Sequence, residues 1–453
     1  MARILCVNPW IIDFTAYNQW IEPLGLLSVA GALRAVGHDI TLLDCLDRFH
    51  PDALAPRAPE DRFGCGHFSK VEVTKPAVLS HVRRRYGRYG LPVGLVEREL
   101  LQMRRPDAVL VTCMMTYWYP GAFEAIQLVR GLWPGVPVAL GGVYANLCCD
   151  HARLHSGADA VLTGPGEDSA RRWVESITGD PGNRSSPREN PRPAHDLRRA
   201  QGYVALLTGR GCPFHCPYCA AQVLNPGGFA PRSVEEVVDE ITWCVEGLGV
   251  ADIAFYDDAL LIDAESHISP ILNAVIRRGL RVRFHTPNGL HARFVDDRLA
   301  VQMRRAGFVT MRLGLETADD RLSLEDGNKV DCDEFGRAVR SLKAAGFTVR
   351  DLAAYVLVGR PPRFGQTAGS DLDAVRRTVA FAHRQGVQVR AAEFSPVPGT
   401  LEWQRAVSRG CIASDADPLL HNKALYPCGE RNAIEQLKRE IRDGNRALLR
   451  REE

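Results

Sequence analysis

The chain has 453 residues, 56 of them basic and 54 acidic, for a formal net charge of +2. That balance gives no electrostatic reason to expect a nucleic-acid partner, since phosphate recognition usually leaves a clear basic excess. Apolar residues make up 45% and charged residues 24%, which excludes extended disorder, and no apolar run approaches the roughly 18 residues that cross a bilayer.

The amino terminus, Met1 to Pro9, runs straight into a strand-like pattern without a signal peptide's charged start and apolar core. The expectation is a soluble, cytoplasmic protein without a membrane partner. Ile4–Val7 and Asp39–Asp44 read as strands around a helical Leu24–Val36. Ala108–Cys113, Val136–Gly142 and Ala158–Gly164 follow as further strands, with a helix over Ala122–Leu132. Strands spaced by helices predict a doubly wound, Rossmann-like α/β domain with a parallel sheet. Residues from about Arg48 to Leu91 break the alternation and read as an insertion. Its segment His81 to Gly90 holds four arginines and two tyrosines. These could grip an anionic ligand, but a solvated loop anchored by its tyrosines is the plainer reading.

Thr178 to Asp196 is rich in proline and small polar residues and almost free of apolar ones, so residues 178–199 are expected to be a linker. Beyond it, strand-like runs begin at Val204, Asp252, Arg281, Val309, Asp351 and Val387. Helical patterns lie between them at Val234–Glu246, Ile268–Arg278, Asp297–Ala306, Cys332–Ala345 and Ala374–Gln385. Six strand–helix units over residues 200–400 predict a partial (β/α) barrel. Residues 401–453 read as a helical region, with a charged tail helix over Ala433–Arg450.

Thirteen cysteines, an odd number, make a poor disulfide framework. Ten are expected to be packing residues. Cys212, Cys216 and Cys219 stand within eight residues, in a C-x3-C-x2-C run after the first barrel strand. Gly209, Gly211 and two prolines bend that loop. Thiolates are soft ligands, so zinc and iron–sulfur are the candidates. Zinc would want a fourth ligand, for which only His215 is near; an iron–sulfur site with three protein thiolates leaves one iron open.

The segment TGRGCPFHCPYCAA resembles the cluster loop of the radical S-adenosylmethionine (SAM) enzymes, including the aromatic Tyr218 before the last cysteine. The resemblance implies a 4Fe-4S cluster on Cys212, Cys216 and Cys219. Its open iron would chelate the amino and carboxylate groups of SAM, and one electron from an external flavodoxin- or ferredoxin-like donor would release a 5′-deoxyadenosyl radical. It places SAM contacts at Tyr218, at Asp257 or Asp258 after strand two, and at Arg312 and Glu316 around the end of strand four. Strand five ends in Gly359-Arg360-Pro361-Pro362, where relatives often have GLPG. His285, His291 and Tyr256 receive no catalytic role, and no acid or base is assigned.

Residues 1–177 taken with the barrel resemble the cobalamin-binding subclass of this family. The likeness rests on the NPW start, the segment from Pro23 to Asp44, LGGVYA (Leu140 to Ala145) and GPGE (Gly164 to Glu167). Gly141, Gly142 and Gly164 are the implied contacts to the corrin or its nucleotide loop, because glycine at a strand end lets a bulky ligand approach the backbone, with plain tight βα turns as the alternative. Met114 to Tyr119 are candidates for the lower corrin face, with aromatic packing as the alternative. No Asp-x-His-x-x-Gly segment supplies a cobalt ligand. The implied function is a cobalamin-dependent radical SAM methyltransferase acting on a small, anionic molecule. The alternatives are other radical chemistry without methyl transfer and a non-enzymatic metal-binding sensor.

Overall fold

A computed structural model describes residues 1–53, 62–180, 182, 191–200, 202–327, 329–361 and 368–452. They form two units, Met1–Gly202 with Asp417–Leu420, and Tyr203–Ala416 with His421–Glu453.

In the first unit five parallel strands, β1 (Arg3–Asn8), β2 (Asp39–Asp44), β3 (Ala108–Thr112), β4 (Val138–Gly141) and β5 (Ala160–Val161), lie in the order β2-β1-β3-β4-β5. Their nearly continuous apolar runs follow from burial on both faces. Ile4, Cys6, Leu110 and Ala139 join the core with helices α1 (Leu24–Ala35) and α3 (Gly166–Thr178). Leu5, Val7, Val109, Val111 and Leu140 face the other way, onto α2 (Tyr119–Leu132). The order reverses beside β1, the place where open α/β sheets take ligands at the carboxyl ends of their strands.

The insertion is tied to the strand Ile11–Asp13. With Lys70–Glu72 and Gly87–Tyr89 this makes a three-stranded antiparallel sheet. Tyr86 and Tyr89 are buried and donate their hydroxyls to the carbonyls of Ile12 and Phe14, both at 3.1 Å. Arg88 pairs with Glu124 at 2.7 Å and Arg84 lies over the Phe14 ring. The tyrosines are thus anchors, and these two arginines are used within the unit. Of the segment expected to be a linker, residues 183–190 lie outside the described residues. The part after them packs on α1: Ala194 donates its backbone N–H to Leu27 at 2.9 Å, and buried Glu22 pairs with His195 and Arg198 at 3.2 and 2.8 Å.

The second unit has six parallel strands, β6 (Val204–Leu206), β7 (Asp252–Phe255), β8 (Arg283–His285), β9 (Phe308–Glu316), β10 (Leu352–Val358) and β11 (Gln388–Glu393), side by side in chain order. Helices α4 (Val234–Thr242), α5 (Ile268–Arg278), α6 (Asp297–Ala306), α7 (Cys332–Ala344) and α8 (Ala368–Arg384) connect them, so every link is a β-α-β crossover. Phe255, Phe284 and Phe308 pack together on the helix-facing side with ring centroids 4.9–5.7 Å apart. β6 and β11 are not paired with each other, so the barrel is open. The tail helix α9 (Arg431–Glu452) buries Ile434, Leu437 and Ile441 in the same core. Its Asn445 accepts the Val389 N–H at 2.8 Å and donates to the Val389 carbonyl at 2.9 Å, which covers an open strand edge. Among the described residues no helix is long and apolar enough to cross a membrane.

Candidate active site

The three clustered cysteines lie on the loop that leaves β6. Gly209–Arg210 pairs antiparallel with Ala230–Pro231, and the chain turns at Gly211 with φ +79°. A Cβ on Gly211 would stand 2.1 Å from the Gly228 carbonyl oxygen, so only glycine fits there. Gln222 donates to the Cys212 carbonyl, and the Ala221 N–H points at the Cys219 sulfur at 3.5 Å. Burial pushes all three thiols up, Cys216 to about 11. Such thiols ionise readily only when a metal replaces their protons.

Among the described residues no three His, Cys, Asp or Glu side chains close around a single ion. A single zinc needs its ligands gathered about one point, whereas each thiolate of a cluster holds its own iron. His215, the only candidate for a fourth zinc ligand, is exposed. Three thiolates on one short loop fit an iron–sulfur cluster that leaves one iron open.

The strand ends around this loop separate residues that look alike in the sequence. Asp257 is buried and accepts the Thr208 hydroxyl at 2.6 Å and the Thr208 and Gly209 N–H groups at 2.9 Å each. Burial lifts its carboxyl to about 6 against the opposing pull of those donors. Asp257 thus braces the start of the cluster loop. Asp258 is half-buried beside Cys212 and Cys219, and burial raises its carboxyl too.

Glu316 ends β9 at φ +59°, a left-handed conformation that costs a non-glycine residue roughly 1–2 kcal/mol. Its buried carboxylate lies 3.5 Å from the Lys329 ammonium. Burial raises the Glu316 carboxyl while Lys329 opposes it, and the ammonium feels the negative ends of Glu316 and the three cysteines. Lys329 is the site residue that sequence reasoning missed. The hydroxyl of Tyr218 is buried beside the Cys216 thiol, with Glu316 and Asp326 near it. Arg360, at the GLPG-like position, is buried and paired to Asp326 at 2.6 and 2.7 Å, and Pro362 lies outside the described residues.

Arg312 is also buried but deeper along β9 than Glu316, on the layer of His285. His285 bonds Asp252 at 2.9 Å and Thr310 at 3.1 Å, which makes it part of the barrel floor. His291 stacks on Phe214 of the cluster loop at 4.7 Å, and burial lowers it to about 3, so it is neutral.

In the first unit the glycines also divide. A Cβ on Gly142 would meet the Cys113 carbonyl oxygen at 2.6 Å, so packing explains that residue. A Cβ on Gly164 would meet nothing within 4 Å, and one on Gly141 only the Leu162 carbonyl oxygen at 3.9 Å. Asn146 holds this edge together, donating to the Gly142 carbonyl and accepting the Gly164 N–H at 2.9 and 2.8 Å. Open backbone at Gly141 and Gly164 fits close approach by a flat, bulky cofactor. After β3, Tyr117 and Trp118 meet edge to face, while Tyr119 stacks on Tyr144 and donates to Asp417 at 3.0 Å.

Comparison with known proteins agrees with this geometry. The radical SAM superfamily model matches residues 206–363 and the B12 binding domain model residues 96–173. An uncharacterized methyltransferase of Pyrococcus horikoshii is 23% identical over 68% of this chain and 71% of its own length. The hopanoid C-3 methylase of Methylococcus capsulatus is 23% identical over 77% of this chain and 63% of its own. For the cytidylyl-2-hydroxyethylphosphonate methyltransferase of Streptomyces wedmorensis the figures are 21%, 90% and 82%. Among solved structures, the radical SAM methyltransferase TsrM of Kitasatospora setae, with cobalamin and a 4Fe-4S cluster bound, superposes with a TM-score of 0.65 at 16% identity, covering 93% of this chain and 85% of that one. The cobalamin-dependent SAM radical enzyme OxsB superposes at 0.57 and 15%, covering 94% and 56%. Residues 206–363 are thus a radical SAM domain and residues 96–173 a B12 binding domain, a pairing that implies a 4Fe-4S cluster, SAM and cobalamin as cofactors.

Proposed function

We propose that the chain is a cobalamin-dependent radical SAM methyltransferase acting on a small molecule. The observation that carries this reading is the three-cysteine loop of the barrel, joined in one chain to a sheet whose glycine edge is open to a corrin. When bound, the cluster and SAM supply a 5′-deoxyadenosyl radical and cobalamin supplies a methyl group.

The residues' own part is to bind and orient. Cys212, Cys216 and Cys219 hold the cluster. Asp258 suits the SAM ammonium and Lys329 its carboxylate, since each offers the opposite charge beside the thiolates. Glu316 balances Lys329 and offers a second acceptor, and the Tyr218 hydroxyl can donate to a SAM oxygen. Asp257 positions the loop without touching SAM. Gly141 and Gly164 leave room for cobalamin. The buried surroundings of Tyr218 and His291 keep water and stray hydrogen donors from a radical.

The test is anaerobic reconstitution with iron, sulfide and cobalamin, then reduction in the presence of SAM. The expected products are 5′-deoxyadenosine and S-adenosylhomocysteine. The first without the second would move the reading to radical chemistry without methyl transfer; neither would overturn it.

A further inference from the structure

Away from the cluster loop, Cys411 and Cys428 stand together in the second unit, their side chains hydrogen-bonded to each other. Each sits on a pinned turn. Cys411 follows the helix Leu401–Ser408 and donates its backbone N–H to the Ala406 carbonyl at 2.9 Å, so the chain doubles back on the helix end. Cys428 lies in the turn before α9, where the Gly429 N–H donates to the Tyr426 carbonyl at 3.1 Å. The Tyr426 hydroxyl in turn donates to Glu435 at 2.6 Å and accepts from Lys438 at 2.9 Å, which ties this turn to α9. Cys411 is half-exposed and Cys428 is buried, so one sulfur is open to a reagent and the other is reached through it.

The same helix backs the cluster loop. Its Glu402 N–H donates to the Pro217 carbonyl at 2.9 Å, and Pro217 stands between the ligands Cys216 and Cys219. Just before the helix, a Cβ on Gly399 would lie 3.2 Å from the Val223 side chain, on the short helix Ala221–Leu224 that follows Cys219. The buried Glu402 carboxylate pairs with Arg405 at 2.8 Å and is close enough to Cys428 to act on its thiol. Leu401–Ser408 therefore supports the cluster loop at its first turn and leads into Cys411 just past its last.

We propose that Cys411 and Cys428 are a dithiol–disulfide pair whose oxidised form staples the helix behind the cluster loop to the turn before the tail helix. The oxidant is a small disulfide of the glutathione class. The Cys411 thiolate attacks it, forms a mixed disulfide and expels one glutathione thiolate. Cys428 then gives up its proton, attacks the Cys411 sulfur and expels the second. The two protein thiols lose two protons and two electrons in all, and the glutathione disulfide takes them up as two thiols. Burial, then Cys411 and Glu402, hold the Cys428 thiol protonated, so the second step is the slow one. Once closed, the bond limits how far the helix end moves from the turn, and with it the backing of the cluster loop. The pair itself does not depend on the reaction catalysed; only its hold on the cluster rests on the radical SAM reading.

The experiment uses the full-length chain with its cluster, kept anaerobic and equilibrated with oxidised and reduced glutathione at a series of ratios. Free thiols are then alkylated and the chain is mapped by mass spectrometry. The expected product is a Cys411–Cys428 cross-link, about 2 Da lighter than the two free thiol peptides together. It should be missing from Cys411→Ser and Cys428→Ser and present in Cys332→Ser, which removes a half-exposed thiol on α7 and serves as the control. The second readout is iron release to a chelator. It should be slower by about fivefold or more in the oxidised wild type than in the reduced one, and equal in the two conditions for Cys411→Ser. A lasting glutathione adduct on Cys411 without the cross-link, or no reaction at either thiol, would overturn the pair. A cross-link with unchanged iron release would overturn the staple. Cys411 is half-exposed, so its variant carries the test if that of buried Cys428 does not fold. Failure of the chain to take up iron would count against the radical SAM reading, while the cross-link would still decide the pair.

Discussion

Thr208 gives both its backbone N–H and its hydroxyl to the Asp257 carboxylate, at 2.9 and 2.6 Å, at the point where β6 turns into the cysteine loop. The neighbouring Asp258 makes no such bond and lies beside the thiols. Adjacent aspartates therefore do different work. Asp257→Ala leaves three buried donors without their acceptor and is expected to cost about 3 kcal/mol of stability. Asp258→Ala is expected to leave the melting temperature unchanged and weaken SAM binding about 10- to 100-fold. Thermal unfolding and equilibrium SAM binding on the reconstituted protein check both. Unchanged SAM affinity in Asp258→Ala would remove it from the cofactor site.

Lys329 and Glu316 form the second pair. Removing the ammonium strands a buried carboxylate, a loss of about 3–5 kcal/mol in typical cases. Lys329→Met should therefore destabilise the chain and weaken SAM binding. The double variant with Glu316→Gln should recover most of the stability but not the SAM affinity. Iron and sulfide content should stay at the wild-type level in both. Recovery of SAM binding in the double variant would show that the pair is structural only.

Much of this was legible in the sequence because local rules agree. The alternation of apolar runs with helical periods placed all six barrel strands, and glycine with tightly spaced cysteine marked the cluster loop. What was not legible depends on the third dimension. Nothing in the sequence tells Asp257 from Asp258, because only the turn after β7 decides which one meets Thr208. Lys329 carries no motif, and its role comes from a fold-back of the segment after β9, where a Cβ added to Gly327 would lie 3.9 Å from the Cys216 backbone. The insertion hid its order because its strand Gly87–Tyr89 pairs with Ile11–Asp13, far back in the chain.

The barrel floor predicts a pH dependence. Burial lowers the His285 pKa from its ordinary 6.5, with Arg283 and Arg312 adding to the effect and Asp252 opposing it. Below that value the unfolded chain takes up a proton that the folded chain refuses, so stability falls as the pH falls. Asp252 is shifted below 3.8 despite its burial, by its bonds to His285 and Arg283, so its contribution is present above 3.8 and lost in stronger acid. Both act in the same direction. His285→Gln is expected to flatten the loss of stability between about pH 6.5 and 5.5 by up to about 1 kcal/mol per pH unit. Urea midpoints at a series of pH values measure this, and an unaltered slope would mean that the imidazole is not held neutral.

The glycine edge of the first unit separates room for a ligand from the needs of packing. Gly142 sits at φ +94° with its missing Cβ 2.6 Å from the Cys113 carbonyl oxygen, so Gly142→Ala must move the β3–β4 edge and cost about 1–3 kcal/mol. At Gly141 the φ is ordinary and an added Cβ has 3.9 Å to its nearest neighbour. A Cβ there is accommodated without a close contact, so an effect on the cofactor can be read apart from backbone strain. Gly141→Leu is therefore expected to melt like the wild type and bind cobalamin at least about tenfold more weakly, the loss of a steric fit and not of stability. Titration followed by visible absorbance gives the affinity, and thermal unfolding gives the control. A folded Gly141→Leu that binds cobalamin normally would move the corrin away from this edge and leave Gly164 without a role in holding it.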